Sequence, residues 1–339
     1  MFRGIGGFDL ALQNLGHELV GGCEIDKYAN QIFDRYFKGI PNDMDATKIK
    51  PEELPDFDIL TAGFPCQTFS IAGKRLGFEE SRGTLFFEIA RIAREKRPRL
   101  LFFENVVGLL SNDRGRTFAE ILSALDEIGY DAEWQVFNSK YFVPQNRERI
   151  FIIGHLRGSG TRKIFPIRED GEIPAQEQEP TTVRTITGGG HSGGLHSQMS
   201  LIVLHNDKHS TNRLYDSKGI ARTLRANAGG KGSKTGLYAI PVLTPERSEK
   251  RQNGRRFKKD GDPSFTLTAQ DRHGVYIDSN IRRLTPLECE RLQGFPDGWT
   301  EGISDTQRYK CLGNAVTVPV VEFIAKHLSI TKENKGEDD

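Results

Sequence analysis

Up to about residue 155, short apolar runs alternate with segments whose apolar residues recur at helical spacing. Asp58-Ile59-Leu60-Thr61-Ala62-Gly63, Leu100-Leu101-Phe102-Phe103 and Ile150-Phe151-Ile152-Ile153 have strand length, and Leu19-Val20 leads into a further strand ending at Cys23-Glu24. Lys27 to Tyr36, Thr84 to Ala93 and Thr117 to Ile128 read as helices; the second stops before Pro98 and the third closes at Gly129. This alternation predicts an α/β fold with a parallel or mostly parallel sheet covered on both faces. The helical pattern resumes at Thr285, a suitable N-cap, with Pro286 in the first turn, and a final helix runs from Val316 to Leu328.

Between these stretches the pattern changes. Glu169 to Pro180 is acidic, contains Pro and Gln, and reads as a linker. Beyond it lies a region rich in Gly, Thr and basic residues, with a loose repeat: Val183-Arg184-Thr185-Ile186-Thr187, Ala221-Arg222-Thr223-Leu224-Arg225 and Ser264-Phe265-Thr266-Leu267-Thr268. The second runs on to Gly236-Leu237-Tyr238 and the third to Gly274-Val275-Tyr276, which predicts short strands feeding loops in a small β-rich domain. Charge divides the same way. His155 to Arg283 holds 22 Lys and Arg against 13 Asp and Glu, although the whole chain carries only +1. A basic module joined to an acidic one fits a polyanion-binding domain beside a second domain, with an ordinary solvated surface as the alternative. The division expected is one domain from residues 1–165 and 281–330, an inserted one at 166–280, and a disordered tail at 331–339.

The chemistry gathers at the ends of the apolar runs. Phe64-Pro65-Cys66-Gln67 follows the first, which places Cys66 like a nucleophile stiffened by a proline. Glu104-Asn105-Val106 follows the second. Parallel strands ending side by side would bring thiol and carboxyl to one sheet edge, where open α/β folds bind ligands. Phe2 to Phe8 is a Gly-rich loop before the helix start Asp9-Leu10-Ala11-Leu12, and Glu24 stands where an acidic residue can take a ribose diol. The four cysteines are scattered without metal-site spacing and read as reduced cytoplasmic thiols, so no metal is expected. No run approaches the ~20 apolar residues of a membrane span, and Met1-Phe2-Arg3-Gly4 does not begin a signal peptide.

In order along the chain stand Phe2-Arg3-Gly4-Ile5-Gly6-Gly7-Phe8, the Pro-Cys loop, Glu-Asn-Val, and Gln145-Asn146-Arg147-Glu148-Arg149. Arg283-Leu284-Thr285-Pro286, Gln293-Gly294-Phe295-Pro296 and Gly313-Asn314-Ala315-Val316 follow. In this order they resemble the C5-cytosine DNA methyltransferases of bacteria and phages. The resemblance implies a Rossmann-like S-adenosylmethionine-dependent domain, a smaller β-rich target-recognition domain inserted in it, and double-stranded DNA as partner of a cytoplasmic monomer. It implies that Cys66 adds to cytosine C6, that Glu104 holds N3 and the exocyclic amine, that Arg149 reaches O2 and that Arg147 frames the pocket. Asn105 is expected to brace the Pro-Cys loop. For the cofactor it implies Phe2, Ile5, Gly6, Glu24, Ile25, Asp45, Pro65, Leu85, Asn314 and Val316. A basic loop with Gln67, Ser70, Lys74, Arg75, Ser81 and Arg82 would close over a flipped base. In the inserted domain Arg213 is the candidate for a guanine contact and Thr223 positions the backbone.

Other readings stay open at this point: packing for Phe2 and Ile5, a turn for Asp45, surface ion pairs for Arg147 and Arg149 around Glu148, and a phosphate clamp for Arg213. A tRNA cytosine-5 methyltransferase or a catalytically impaired DNA-binding relative would share much of the pattern. The family carries an apolar strand just before the Gly-rich loop, at the centre of its sheet, whereas Met1 here stands inside that motif. The expectation is either a reading frame that starts upstream of Met1 or a sheet without that strand and a compromised cofactor pocket.

Overall fold

The computed structural model describes residues 1–65, 85–167, 203–205, 214–215, 237–238, 240–245, 256–258, 262–277 and 280–328. Its main sheet has four strands, β1 (Ile59–Gly63), β2 (Leu100–Val106), β3 (Tyr130–Asn138) and β4 (Glu148–Leu156), in the order β1-β2-β4-β3. β1 and β2 run parallel, with Gly63 opposite Glu104. β4 is antiparallel to both β2 and β3. The expectation of a mostly parallel sheet is therefore corrected: one of three pairings is parallel. Only nine residues separate β3 from β4, too few for the crossover a parallel pair needs.

Helices cover both faces, as the pattern predicts. On β2, Leu100 and Phe102 join one core cluster and Leu101 and Phe103 the other; on β4, Phe151 and Ile153 alternate with Ile150 and Ile152 in the same way. α3 (Leu85–Lys96) and α4 (Arg116–Glu127) pack on the second face, through Phe86, Ile89 and Ile121. The first face is covered by α1 (Gly7–Asn14), α2 (Lys27–Tyr36), α5 (Pro286–Gln293), α6 (Asp305–Asn314) and α7 (Val318–Ala325). Each of these core side chains stabilises the fold by about 1.5–3 kcal/mol relative to exposure. The N-terminal and C-terminal stretches thus complete one core. α5 begins with a capping box: Thr285 accepts from the Glu288 amide and Glu288 accepts from the Thr285 amide.

The strand expected to end at Cys23-Glu24 is absent. Gly22 forms one bridge with Asn42, and the Arg3 amide donates to the Cys23 carbonyl at 3.3 Å. A strand needs a ladder along its length. On the side of β1 away from β2, the Met1 ammonium donates to the Thr61 carbonyl.

Two small sheets follow. β5 (Val203–His205), β6 (Leu214–Tyr215) and β7 (Leu237–Tyr238) form one; β8 (Ile240–Leu243), β9 (His273–Ile277) and β10 (Asn280–Arg283) form the other. β7 and β9 contain the apolar segments expected downstream of the second and third repeats. The linker, the first two repeat units and the tail from residue 331 lie outside the described residues. The third unit is not a strand. Ser264 makes one bridge to Gln145, and the main chain of Leu267 bonds to side chains, its N–H to Gln145 Oε1 (2.7 Å) and its carbonyl to Arg147 Nη1 (2.7 Å). This segment also crosses the Gly-Asn-Ala-Val loop so closely that a Cβ on Gly313 would lie 2.3 Å from the Thr268 carbonyl carbon.

Candidate active site

The parallel register of β1 and β2 sets Glu104 beside Gly63, the last residue of β1. Glu104 is 8% exposed, and its Oε1 lies 2.9 Å from Arg149 Nε. Burial pushes its carboxyl above the ordinary carboxylate range, against the pull of the Arg149 and Arg147 guanidinium groups. An acid in such a setting can carry a proton where an exposed one has lost it. Asn105 Nδ2 donates to the Phe64 carbonyl at 3.0 Å, which braces the chain just before Pro65.

Arg147 reaches the same cleft in a different role. It is 2% exposed, and its guanidinium donates to the carbonyls of Leu267 (2.7 Å), Gly313 (3.2 Å) and Ala315 (2.7 Å). Burial and Arg149 press its pKa down to about 9, against the pull of Glu104. Those three carbonyls hold its two terminal nitrogens, while its buried Nε has no hydrogen-bond partner among the described residues. Its geometry is that of a brace for the cleft floor.

A cleft of about 520 Å³ runs from this pair to the Gly-rich loop. Phe2, Ile5, Glu24, Ile25, Asp45, Pro65, Leu85 and Asn314 line it, with Glu104, Arg147 and Arg149 at the other end. Ile25 and Met44 stand 69% and 55% exposed on its wall, so the cleft offers apolar surface for a ligand to cover. Both oxygens of Glu24 are oriented by main-chain amides, Oε2 by Gly4 (2.9 Å) and Oε1 by Asp26 (2.8 Å). Asp45 accepts from the Thr47 hydroxyl and amide, bonds that hold its carboxyl below the usual range. It is a turn residue and a lining residue at once. Glu24 fixes Gly4 from one side of the loop, and the described residues form a cleft beside it.

Gly6 and Val316 do not line the cleft. Gly6 has φ 86°, and a Cβ there would lie 2.7 Å from the Phe37 ring; Val316 packs behind the loop, where a Cβ on Gly7 would meet its side chain at 2.6 Å. They shape the loop from behind. Cys66, Gln67, Ser70, Lys74, Arg75, Ser81, Arg82, Arg213 and Thr223 lie outside the described residues.

Sequence reasoning missed Met44, Asp26 and Lys310. Asp26 caps α2 by accepting from the Tyr28 and Ala29 amides and pairs with Lys310 Nζ at 2.7 Å. An Asp directly before the Lys27 helix was a readable signal; nothing local marks Lys310. Cys23 and Cys311 also line the cleft. Burial raises their thiols to about 11 and about 12, and pushes Cys289 up as well. All three stay protonated at neutral pH and are poor nucleophiles.

Residues 1–329 match the family model for C-5 cytosine-specific DNA methylases, and the chain belongs to that family. It is 36% identical to the orphan methyltransferase M.SPRI of Bacillus phage SPR, over 99% of this chain and 98% of that one. It is 34% identical to the type II methyltransferase M.HhaI of Haemophilus parahaemolyticus, over 97% and 92%. The S. pombe Dnmt2 methyltransferase structure shares the fold at 18% identity and a TM-score of 0.55, covering 96% of this chain and 95% of that one. The protein is thus a DNA (cytosine-5) methyltransferase that uses S-adenosylmethionine. The cleft suits that cofactor: a fixed carboxylate for hydroxyls, apolar walls for a ring, and a Gly-rich loop for close main-chain approach.

Proposed function

We propose that the chain methylates C5 of a cytosine flipped out of a specific duplex DNA sequence, through a covalent bond from Cys66 to C6. The observation that carries this reading is the buried Glu104, in register with the strand that leads into Pro65-Cys66 and pushed by burial toward holding a proton. The Cys66 thiolate adds at C6, and the ring electrons move toward C5 while Glu104 gives its proton to N3. Bound in the cleft, S-adenosylmethionine supplies the methyl group that C5 takes up. Solvent water takes the C5 proton, Cys66 departs as thiolate to restore the 5,6 double bond, and N3 returns its proton to the Glu104 carboxylate. Arg149, paired with Glu104, faces O2, and Arg147 holds the floor. A base can enter only after leaving the helix stack, and the loop with Gln67, Ser70, Lys74, Arg75, Ser81 and Arg82 closes over it.

A duplex carrying 5-fluorocytosine should trap the protein as a covalent adduct, because fluorine does not leave as a proton does. The adduct should vanish in Cys66→Ala, while DNA and cofactor binding persist; a wild-type chain that forms none under turnover conditions would sink the mechanism. Transfer RNA in the same assay should give no adduct.

Residues 166–280 supply sequence reading, as their basic composition supports. Arg213→Ala should relax preference at one guanine position by ~1–3 kcal/mol. Methylation of a randomised duplex library tests it, and an unchanged motif with evenly lower yield would make Arg213 a phosphate contact.

A further inference from the structure

The loop from Phe2 to Gly7 has three residues with left-handed backbone, Phe2, Gly4 and Gly6, at φ 52°, 54° and 86°. Such a run keeps its shape only where its surroundings hold it. From the cleft side, Glu24 holds the Gly4 amide. From the core side a tryptophan does the corresponding work: the indole Nε1–H of Trp299 donates to the Ile5 carbonyl at 3.0 Å. Trp299 and Ile5 are 3% and 1% exposed. Their bond lies out of reach of water, so removing the donor would leave a buried carbonyl unsatisfied.

Trp299 is itself fixed from several directions. Its ring stacks on Tyr36 with centroids 3.8 Å apart and planes 4° apart, and Phe37 and Phe295 pack around it. The Tyr36 hydroxyl donates to the Gly298 carbonyl at 3.1 Å, while Arg35 and Gln31 of the same helix hold the carbonyls of Glu301 and Gly302. The segment around Trp299 is strapped to α2, and its indole is aimed at the loop. Ile5 and Gly4 line the cleft; Trp299 stands one layer behind them.

We propose that Trp299 is a positioning residue for the cofactor, acting through the Ile5 carbonyl to fix the wall that Gly4 and Ile5 present. The proposal rests on the assignment of the cleft to S-adenosylmethionine and extends it to a residue that touches no ligand. A side chain 294 positions away in sequence sets the shape of the loop at the chain's start.

Trp299→Phe keeps a ring against Tyr36 and removes the N–H. The expected result is a rise of about tenfold in the KM for S-adenosylmethionine, with kcat at saturating cofactor within about twofold of wild type. Phe118→Leu, which thins the core on the other face of the sheet and does not line the cleft, should lower Tm and leave the cofactor KM unchanged. A Trp299→Phe enzyme with lowered Tm and unchanged KM would make Trp299 an ordinary core residue and overturn the proposal, as would equal rises in both variants. A second measurement does not depend on that variant folding. The chain has two tryptophans, so Trp134→Phe leaves Trp299 as the sole reporter. Titration with S-adenosylhomocysteine should shift its emission; calorimetric binding without any shift would count against the proposal. A wild-type chain that binds no S-adenosylhomocysteine would overturn the cofactor assignment, and the proposal with it.

Discussion

Glu24 and Glu104 face the same cleft from its two ends, and their surroundings differ in kind. Each oxygen of Glu24 accepts a main-chain N–H, from Gly4 and from Asp26. These fixed dipoles aim the carboxylate and leave its remaining lone pairs for hydroxyls of a ligand. Glu104 is buried and relies on the side chain of Arg149, and burial raises its affinity for a proton. On the proposed mechanism, one carboxyl accepts from the cofactor and the other gives a proton to the base. Environment, more than residue type, separates the roles.

Glu104→Gln tests that contrast most severely. The amide keeps the shape but has no acidic proton for N3, and kcat should fall by ~10²-fold or more. A loss confined to DNA affinity would make Glu104 an anchor and break the contrast. Glu24→Gln comes next: one main-chain bond is lost, and the cofactor KM should rise by about tenfold with kcat at saturation little changed. An equal fall in kcat would erase the distinction. The smallest effect is on stability. The raised pKa means that folded Glu104 keeps a proton to higher pH than the unfolded chain does. Its favourable contribution is therefore present below the ordinary carboxylate range and is lost as pH rises through the folded value. Urea unfolding at pH about 4 and about 8 should show wild type losing ground to Glu104→Gln; a constant difference would contradict the raised pKa.

What could be read from the sequence was local. The runs at Asp58, Leu100 and Ile150 became β1, β2 and β4, and Lys27 to Tyr36 became α2 residue for residue. Glu104 stood out at the end of an apolar run, and the eight cleft residues from Phe2 to Asn314 came from the family resemblance. What escaped depends on contacts distant in sequence. β3 is an edge strand that buries only Tyr130, Glu133 and Phe137 and shows no continuous apolar run. The role of Arg147 is fixed by carbonyls 120 to 168 residues away. The third repeat unit has strand composition, but its main chain bonds to Gln145 and Arg147 side chains, which no propensity encodes.

The crossing of Thr268-Ala269 over Gly313 bears on how such enzymes can be recombined. A protein engineer exchanging the basic region for that of another family member would naturally cut at the start of the C-terminal helices. A cut there would import a foreign 264–268 segment and set it against a glycine with no room for even a methyl group. Placing the splice ahead of Asp262 keeps Ser264, Leu267 and Thr268 with the Gln145, Arg147 and Gly313 they are fitted to. The transplantable unit is shorter than the basic region, and the main-chain crossing at Gly313 marks what must stay behind.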